Sequence, residues 1–176
     1  MDALAPGELA LVQRFVNTAD LETRSDDLGD PDALAAWLAG AGLVQAGARF
    51  DEAARLRIVA VREAVRTLLL ANHGERPDRR AIATLDRAAR VTIAFDAAGR
   101  TRLAPAGDGV DGVLGAVLGI VVRAQADGSW PRLKACPGDR CGWAFYDRSR
   151  NRSRTWCAMS VCGNRSKARS YRARQR

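Results

Sequence analysis

The sequence contains a single histidine, His73, and no Cys-x-x-Cys pair. It also has no phosphate-cradling glycine loop and no recognisable nucleophile–base pair. These absences argue against an enzyme, and no catalytic residue is expected. No run reaches the roughly 18 consecutive apolar residues that a membrane helix needs. The longest candidate, Val113 to Val122, is about half that length and is interrupted by Gly115 and Gly119. The first residues, Met1-Asp2-Ala3, show neither the basic n-region nor the apolar h-region of a secretory signal. A cytoplasmic protein with no membrane partner is therefore expected. No internal repeat stands out. Acidic residues are scarce in one region only: from Arg132 onward there are 2 of them against 13 Lys+Arg.

What is present is a chain of 176 residues, 47% hydrophobic and 27% charged, the profile of a folded protein able to bury a core. Its charge is segregated. The net is +8, but the residues before Arg132 carry 15 Lys+Arg against 18 acids, so a mildly acidic body precedes a strongly basic end. A basic block of this kind favours a polyanion partner over a merely solubilising tail.

The body reads as mostly helical with one hairpin. Helices are expected over 4–20, 31–41, 51–72, 78–90 and 110–126, from apolar periods near 3.6. Asp30 and Pro31 supply an N-cap and a first-turn proline, and Gly42 a stop. Along 51–72, Ala54, Ile58, Val61, Val65 and Leu68 form one stripe, with Arg55, Arg62 and Arg66 on another face. The period then changes to two. Val91 to Phe95 predicts a strand, 96–99 a turn and 101–103 its hairpin partner. Gly112, Gly115 and Gly119 each cost the last body helix about 1 kcal/mol relative to Ala, which close helix packing would offset. The break at Asp127 to Pro131 coincides with the charge step and places a module boundary between 1–129 and 130–176. The acid-rich stretch Asp20, Glu22, Asp26 and Asp27 reads as a solvated loop.

All four cysteines lie in the basic module: Cys136, Cys141, Cys157 and Cys162. Two Cys-x4-Cys pairs separated by a loop can wrap the two sides of one tetrahedral ion, so a single structural Zn2+ is expected. Two disulfides or four unrelated thiols are the alternatives. Four protein ligands leave no open position, so the ion would be structural and would supply the folding energy of a segment too polar to make its own core. Between the pairs, 142–147 reads as a strand, 148–154 as an arginine-rich loop and Thr155-Trp156 as the return strand. Trp143, Phe145 and Trp156 would fill a mini-core, and Asp147 would hold the loop by hydrogen bonds. A helix is expected from near Gly163. On it Arg165, Arg169, Arg172 and Arg176 step by four, three and four, with Lys167 and Arg174 on adjoining faces. Apart from Tyr171 it has no apolar stripe.

The segment Leu133-Lys134-x-Cys136 to Cys141-x-Trp143-x-Phe145-x-Asp147-x-Ser149-x-Asn151-x-Ser153-Arg154-x-Trp156-Cys157-x-Met159 to Cys162-Gly163-Asn164-Arg165-x-Lys167 resembles the CGNR zinc finger, with Thr155 where a basic residue is expected. Phe15-Val16-Asn17-Thr18 and Leu34-x-x-Trp37-Leu38-x-x-x-Gly42-Leu43 are similar to the N-terminal signature of the ABATE domain, whose members are labelled stress-induced bacterial transcription regulators. The resemblance implies a finger that binds DNA.

The fold expected is α+β: a mostly helical N-terminal domain with a small β-hairpin, followed by a treble-clef-like zinc finger. The function expected is zinc-dependent transcription regulation on double-stranded DNA. Arg148, Arg150, Arg152, Arg154, Asn164, Arg165, Lys167, Arg169, Arg172 and Arg174 are the expected contacts. The body would sense a small-molecule effector, with Asn17, Thr18 and Trp37 lining a pocket, or would mediate homodimerisation. In the other reading of those three, Asn17 and Thr18 bond neighbouring backbone and Trp37 packs in the core. A protein- or RNA-binding zinc module is the alternative function.

Overall fold

A computed structural model describes residues 3–88 and 90–175. Arg176, the last member of the expected arginine stripe, lies outside the described residues.

Two of the long helices start at side-chain caps. Helix α1 spans Leu9–Val16, followed by a short hairpin of β1 (Ala19–Asp20) and β2 (Ser25–Asp26). Helix α2 (Pro31–Gly40) is capped by the Asp30 carboxylate, which accepts from the Ala33 amide at 2.8 Å. Helix α3 (Glu52–Ala71) is capped in the same way by Asp51 on the Ala54 amide at 2.7 Å. Both satisfy amides that the first helical turn leaves open. Helix α1 is shorter than the expected 4–20. Gly7 has φ +58°, outside helical space, and the chain turns away after Asn17. Helix α4 covers Arg79–Ala88, and β3 (Val91–Phe95) pairs antiparallel with β4 (Thr101–Pro105).

Helix α5 (Gly109–Ala126) packs at the centre, burying Val113, Leu114, Val117, Ile120 and Val121 in one cluster with Val12 and Phe15 of α1 and Ile58, Val65 and Leu69 of α3. With 18 residues and a mean hydropathy of 1.4, it is long and apolar enough by composition to cross a membrane. Asp111 and Arg123 lie within the helix, so its sequence shows no uninterrupted apolar run of that length. Its apolar face is spent on the core just described. Two of its glycines, Gly112 and Gly115, are explained by a contact different from the helix packing expected. A Cβ at Gly112 would lie 2.7 Å from the Gly107 carbonyl oxygen, and one at Gly115 would lie 3.0 Å from Pro105 Cα. The partners are β4 and the loop after it.

In the basic module, a single helical turn (Trp130–Arg132) leads into β5 (Leu133–Ala135), which pairs with β6 (Ala144–Tyr146). This corrects the expected strand partner: Thr155-Trp156 is not a strand, and β6 pairs with the residues ahead of the first cysteine. The loop after β6 is instead folded back by side-chain bonds centred on Asp147. A π-helical turn (Met159–Gly163) then opens into helix α6 (Asn164–Arg174). Hairpin β5–β6 is two-sided, as a strand period of two requires. Leu133, Ala135 and Ala144 face the body and belong to its core, while Lys134 and Phe145 face the cysteines and the loop beyond β6.

Candidate metal centre and its basic surround

Cys136 follows β5 directly, and its amide donates to the Trp143 carbonyl at 2.9 Å. A tight turn brings the chain back, with Cys141 donating its amide to Gly138 at 2.9 Å. Gly138 lies against the sulfurs; a Cβ there would sit 3.3 Å from Cys162 Sγ and 3.4 Å from Cys136 Sγ. Cys162 lies in the π-helical turn, where its amide reaches the Ala158 carbonyl at 2.9 Å.

The four Sγ atoms lie within 4.8 Å of one another, and none is in a disulfide. Cys141 and Cys157 Sγ are 3.6 Å apart, and Cys157 and Cys162 Sγ 3.7 Å. A tetrahedral ion with zinc–sulfur bonds of about 2.3 Å places its sulfurs about 3.8 Å apart, so the quartet fits one Zn2+. The thiols divide their protons unequally. Cys136 is pulled down to about 5, chiefly by the Cys141 thiol that donates to it. The same pairing, reinforced by burial, pushes Cys141 upward. Burial, with the neighbouring Cys136 charge, pushes Cys157 up to about 12. A divalent cation resolves this competition by holding all four as thiolates.

Phe145 is fully buried under the quartet, with Trp143 and Trp156 packed beside it, as the mini-core reading expects. Gly163 is needed here, because a Cβ would meet Met159 Sδ and lie 3.2 Å from the Trp156 ring. Asp147, fully buried, accepts from Lys134 Nζ at 2.8 Å, from the Ser149 hydroxyl at 2.6 Å and from the Ser149 and Arg154 amides at 2.9 Å. Burial works against its charge, but the Lys134 and Ser149 bonds outweigh it and hold the carboxyl at about 2. Lys134 also donates to the Arg152 carbonyl at 2.6 Å and the Arg154 carbonyl at 3.1 Å, closing the loop around the pair.

The expected nucleic-acid contacts fall into two groups. Arg150, Arg152, Asn164, Arg165, Lys167, Arg169, Arg172 and Arg174 are exposed, and α6 buries none of its residues. Arg148, although exposed, donates to the Leu4 carbonyl at 2.8 Å and lies over Tyr146. Arg154 serves the finger itself, with its guanidinium 4.8 Å over the Phe145 ring and bonded to the Trp156 and Cys157 carbonyls. Asn164 donates to the Ser160 carbonyl at 3.1 Å. Two of the helix cations carry ion pairs, Arg165 with Glu22 at 2.6 Å and Arg169 with Asp139 at 3.3 Å.

Asn17, Thr18 and Trp37 are engaged within the fold. Asn17 donates to the Ala144 carbonyl at 2.9 Å and accepts from the Ala144 amide at 2.7 Å, pairing with β6 as another strand would. Thr18 donates to the Phe15 carbonyl at 2.8 Å, and Trp37 packs against the Phe15 ring.

Several residues that join body to finger, or brace the body beside that junction, were not expected in these roles. Arg66 is buried and donates to the Gly142 carbonyl and the Val16 carbonyl, each at 2.7 Å. Arg62 is buried against Asp26, both of its terminal nitrogens reaching the carboxylate at 2.6 and 2.8 Å. The acid-rich stretch is thus not simply solvated: Asp26 and Glu22 each hold an arginine. Asn72 donates to the Trp130 and Leu133 carbonyls at 3.0 and 2.8 Å, and His73 Nε2 lies 2.8 Å from the Ala135 carbonyl. The only available signals were an i, i+4 arginine pair and an acid-rich loop, and nothing in their spacing says that they meet.

A closed four-thiolate centre, flanked by a hairpin that packs into a helical body, defines a structural zinc module built onto a helical domain. The family comparisons agree. The CGNR zinc finger matches residues 132–175, and ABATE, described as "Putative stress-induced transcription regulator", matches residues 9–128. The chain belongs to the ABATE family and ends in a CGNR zinc finger with one structural zinc ion. A search of curated proteins finds no match to it.

Proposed function

We propose that this chain is a zinc-dependent DNA-binding transcription regulator of the cytoplasm. In this reading residues 1–129 form the regulatory body and 130–176 the DNA-reading module. One observation carries it: α6 buries nothing, yet presents Arg165, Lys167, Arg169, Arg172 and Arg174 to solvent. An exposed helix with no apolar face to pack is a poor core element and a good phosphate reader. Arg150 and Arg152 add charge from the loop. Zinc sets where α6 begins, because Cys162 is the last ligand before it.

With about six phosphate contacts, the logarithm of duplex-DNA affinity falls with the logarithm of salt at a slope near −5. The test is this salt series on zinc-loaded protein, with and without chelator, with structured RNA as competitor. The expected result is steep binding that is lost on chelation and lost again in the Arg165→Glu, Arg169→Glu double variant. Affinity unchanged by that double variant overturns the reading, and stronger competition by RNA replaces DNA with RNA as partner.

One finger of this size reaches few phosphates, so the regulator acts as a homodimer in this reading. An effector, where one acts, binds away from Asn17 and Thr18, whose polar groups bond backbone within the fold, and from Trp37, which packs against Phe15. A groove of about 560 Å3 between residues 42–50 and 105–116, lined by Leu43, Phe50, Val113 and Arg49, is the site to screen by thermal shift. A ligand-induced shift that a Phe50→Ala change removes supports sensing there.

A further inference from the structure

The hairpin β3–β4 leaves one strand edge and one apolar face without a partner. Among the described residues its sheet has two strands, and β4 is the one that packs on α5. The outer strand β3 carries Val91, Ile93 and Phe95 on one face, and they are 39%, 69% and 68% exposed. The hydrogen-bond parity can be read from the hairpin's ends. Arg90 and Asp96 bond across to Ala106 and Arg100, so the even-numbered residues turn their backbone groups toward β4. Val91, Ile93 and Phe95 therefore turn theirs to the free edge, where none of the described residues meets them. Strands of soluble proteins blunt such edges with Lys, Pro or a bulge, and Val91–Phe95 contains none of these.

We infer that β3 pairs antiparallel with β3 of a second copy about a two-fold axis through Ile93, giving a four-stranded sheet across the dimer. The sequence is self-complementary in that register. Ile93 faces its own copy, Val91 faces Phe95, and Arg90 faces Asp96 at both ends. Odd-numbered residues form the hydrogen-bonded pairs, which matches the edge they already present. The charges also match. Arg90 has no carboxylate partner among the described residues, and Arg87, Arg100 and Arg102 lie nearby with Asp96 as the hairpin's acid. The second copy's Asp96 gives Arg90 its counter-charge, beside the Arg100 Nε that already reaches that carboxylate at 2.8 Å. The contact is isologous, so it closes at two copies. It also places two zinc fingers in one dyad-related assembly.

This inference deepens the homodimer reading above and rests on it, and its test separates the two. Zinc-loaded full-length protein, without DNA, is measured by sedimentation equilibrium over a concentration series, alongside Ile93→Lys. Ile93 is exposed, so zinc content and circular dichroism should match the parent. The expected result is a concentration-dependent dimer that weakens at least tenfold in the variant. A second variant, Ile93→Cys, should cross-link to a covalent dimer under mild oxidation, because directly opposed strand residues of a hydrogen-bonded pair sit about 5.5 Å apart at Cα. A dimer that Ile93→Lys leaves intact and Ile93→Cys does not trap overturns the surface while sparing the homodimer. A protein monomeric at all concentrations overturns both.

Discussion

Lys134 and Asp147 form the finger's buried ion pair, 5% and 0% exposed at their side chains. Removing one partner of such a pair costs about 3–5 kcal/mol, because the other charge stays buried alone. Asp147→Asn should lower the stability of zinc-loaded protein by that order in urea denaturation; a loss below about 1 kcal/mol would mean that Lys134 finds other partners. The depressed carboxyl also sets a sign. Its contribution is full above the ordinary carboxylate range and is lost as pH falls toward the value of about 2 that it holds in the fold. A second residue-scale expectation concerns Glu22, whose carboxylate pairs with Arg165. The pair is exposed and so weak, but in the proposed reading DNA would have to displace it. Glu22→Gln should raise duplex affinity roughly two- to fivefold at low salt, the size of an exposed ion pair, and the gain should vanish at high salt. Unchanged affinity at low salt would show that Arg165 does not meet DNA.

Among the elements, α5 shows how packing overrides propensity. An isolated helix gains about 1 kcal/mol when glycine becomes alanine. At Gly112 the new Cβ would lie 2.7 Å from a backbone carbonyl oxygen, and that overlap costs about 1–3 kcal/mol. Gly112→Ala should therefore be neutral or destabilising in thermal unfolding, whereas the exposed Gly40→Ala at the end of α2, with open space around it, should not be. A clear gain in melting temperature for Gly112→Ala would contradict the close approach of the loop after β4. Helix α6 is the opposite case. It buries no residue, so its order depends on the zinc-held turn at its start.

At the scale of the whole molecule, the zinc finger is not an independent bead. Leu133, Ala135 and Ala144 lie in the body core, and Arg66, Asn17 and Asn72 hold the hairpin's backbone from three points of the body. Chelation should therefore lower the melting temperature of the entire chain in one cooperative transition, followed by calorimetry. Two separated transitions, with the body's unmoved, would show that the interface is thermodynamically silent. Zinc is also expected to leave as pH falls, since each ligand must be a thiolate and burial already resists ionising Cys157.

The sequence by itself determined the helices, the β3–β4 hairpin, the four-cysteine centre and the cationic last helix. Each is written in a local pattern: a period of 3.6 or 2, a cap, a pair of cysteines four residues apart. Tertiary structure alone decided what those elements meet. Residues 142–147 read as a strand and 144–146 form one, but only the fold chose β5 as its partner, because an apolar alternation is the same whichever strand lies beside it. Arg62 and Arg66 read as a face of α3 apart from its apolar stripe and are buried, since their partners come from 36 and 76 residues away. Asn17 bonds β6 across 127 residues. Contacts of that span leave no periodic trace in either segment. Arg154 reads as one more loop cation and is instead packed over Phe145, a choice made by the Asp147 bonds that fold the loop back onto the metal module.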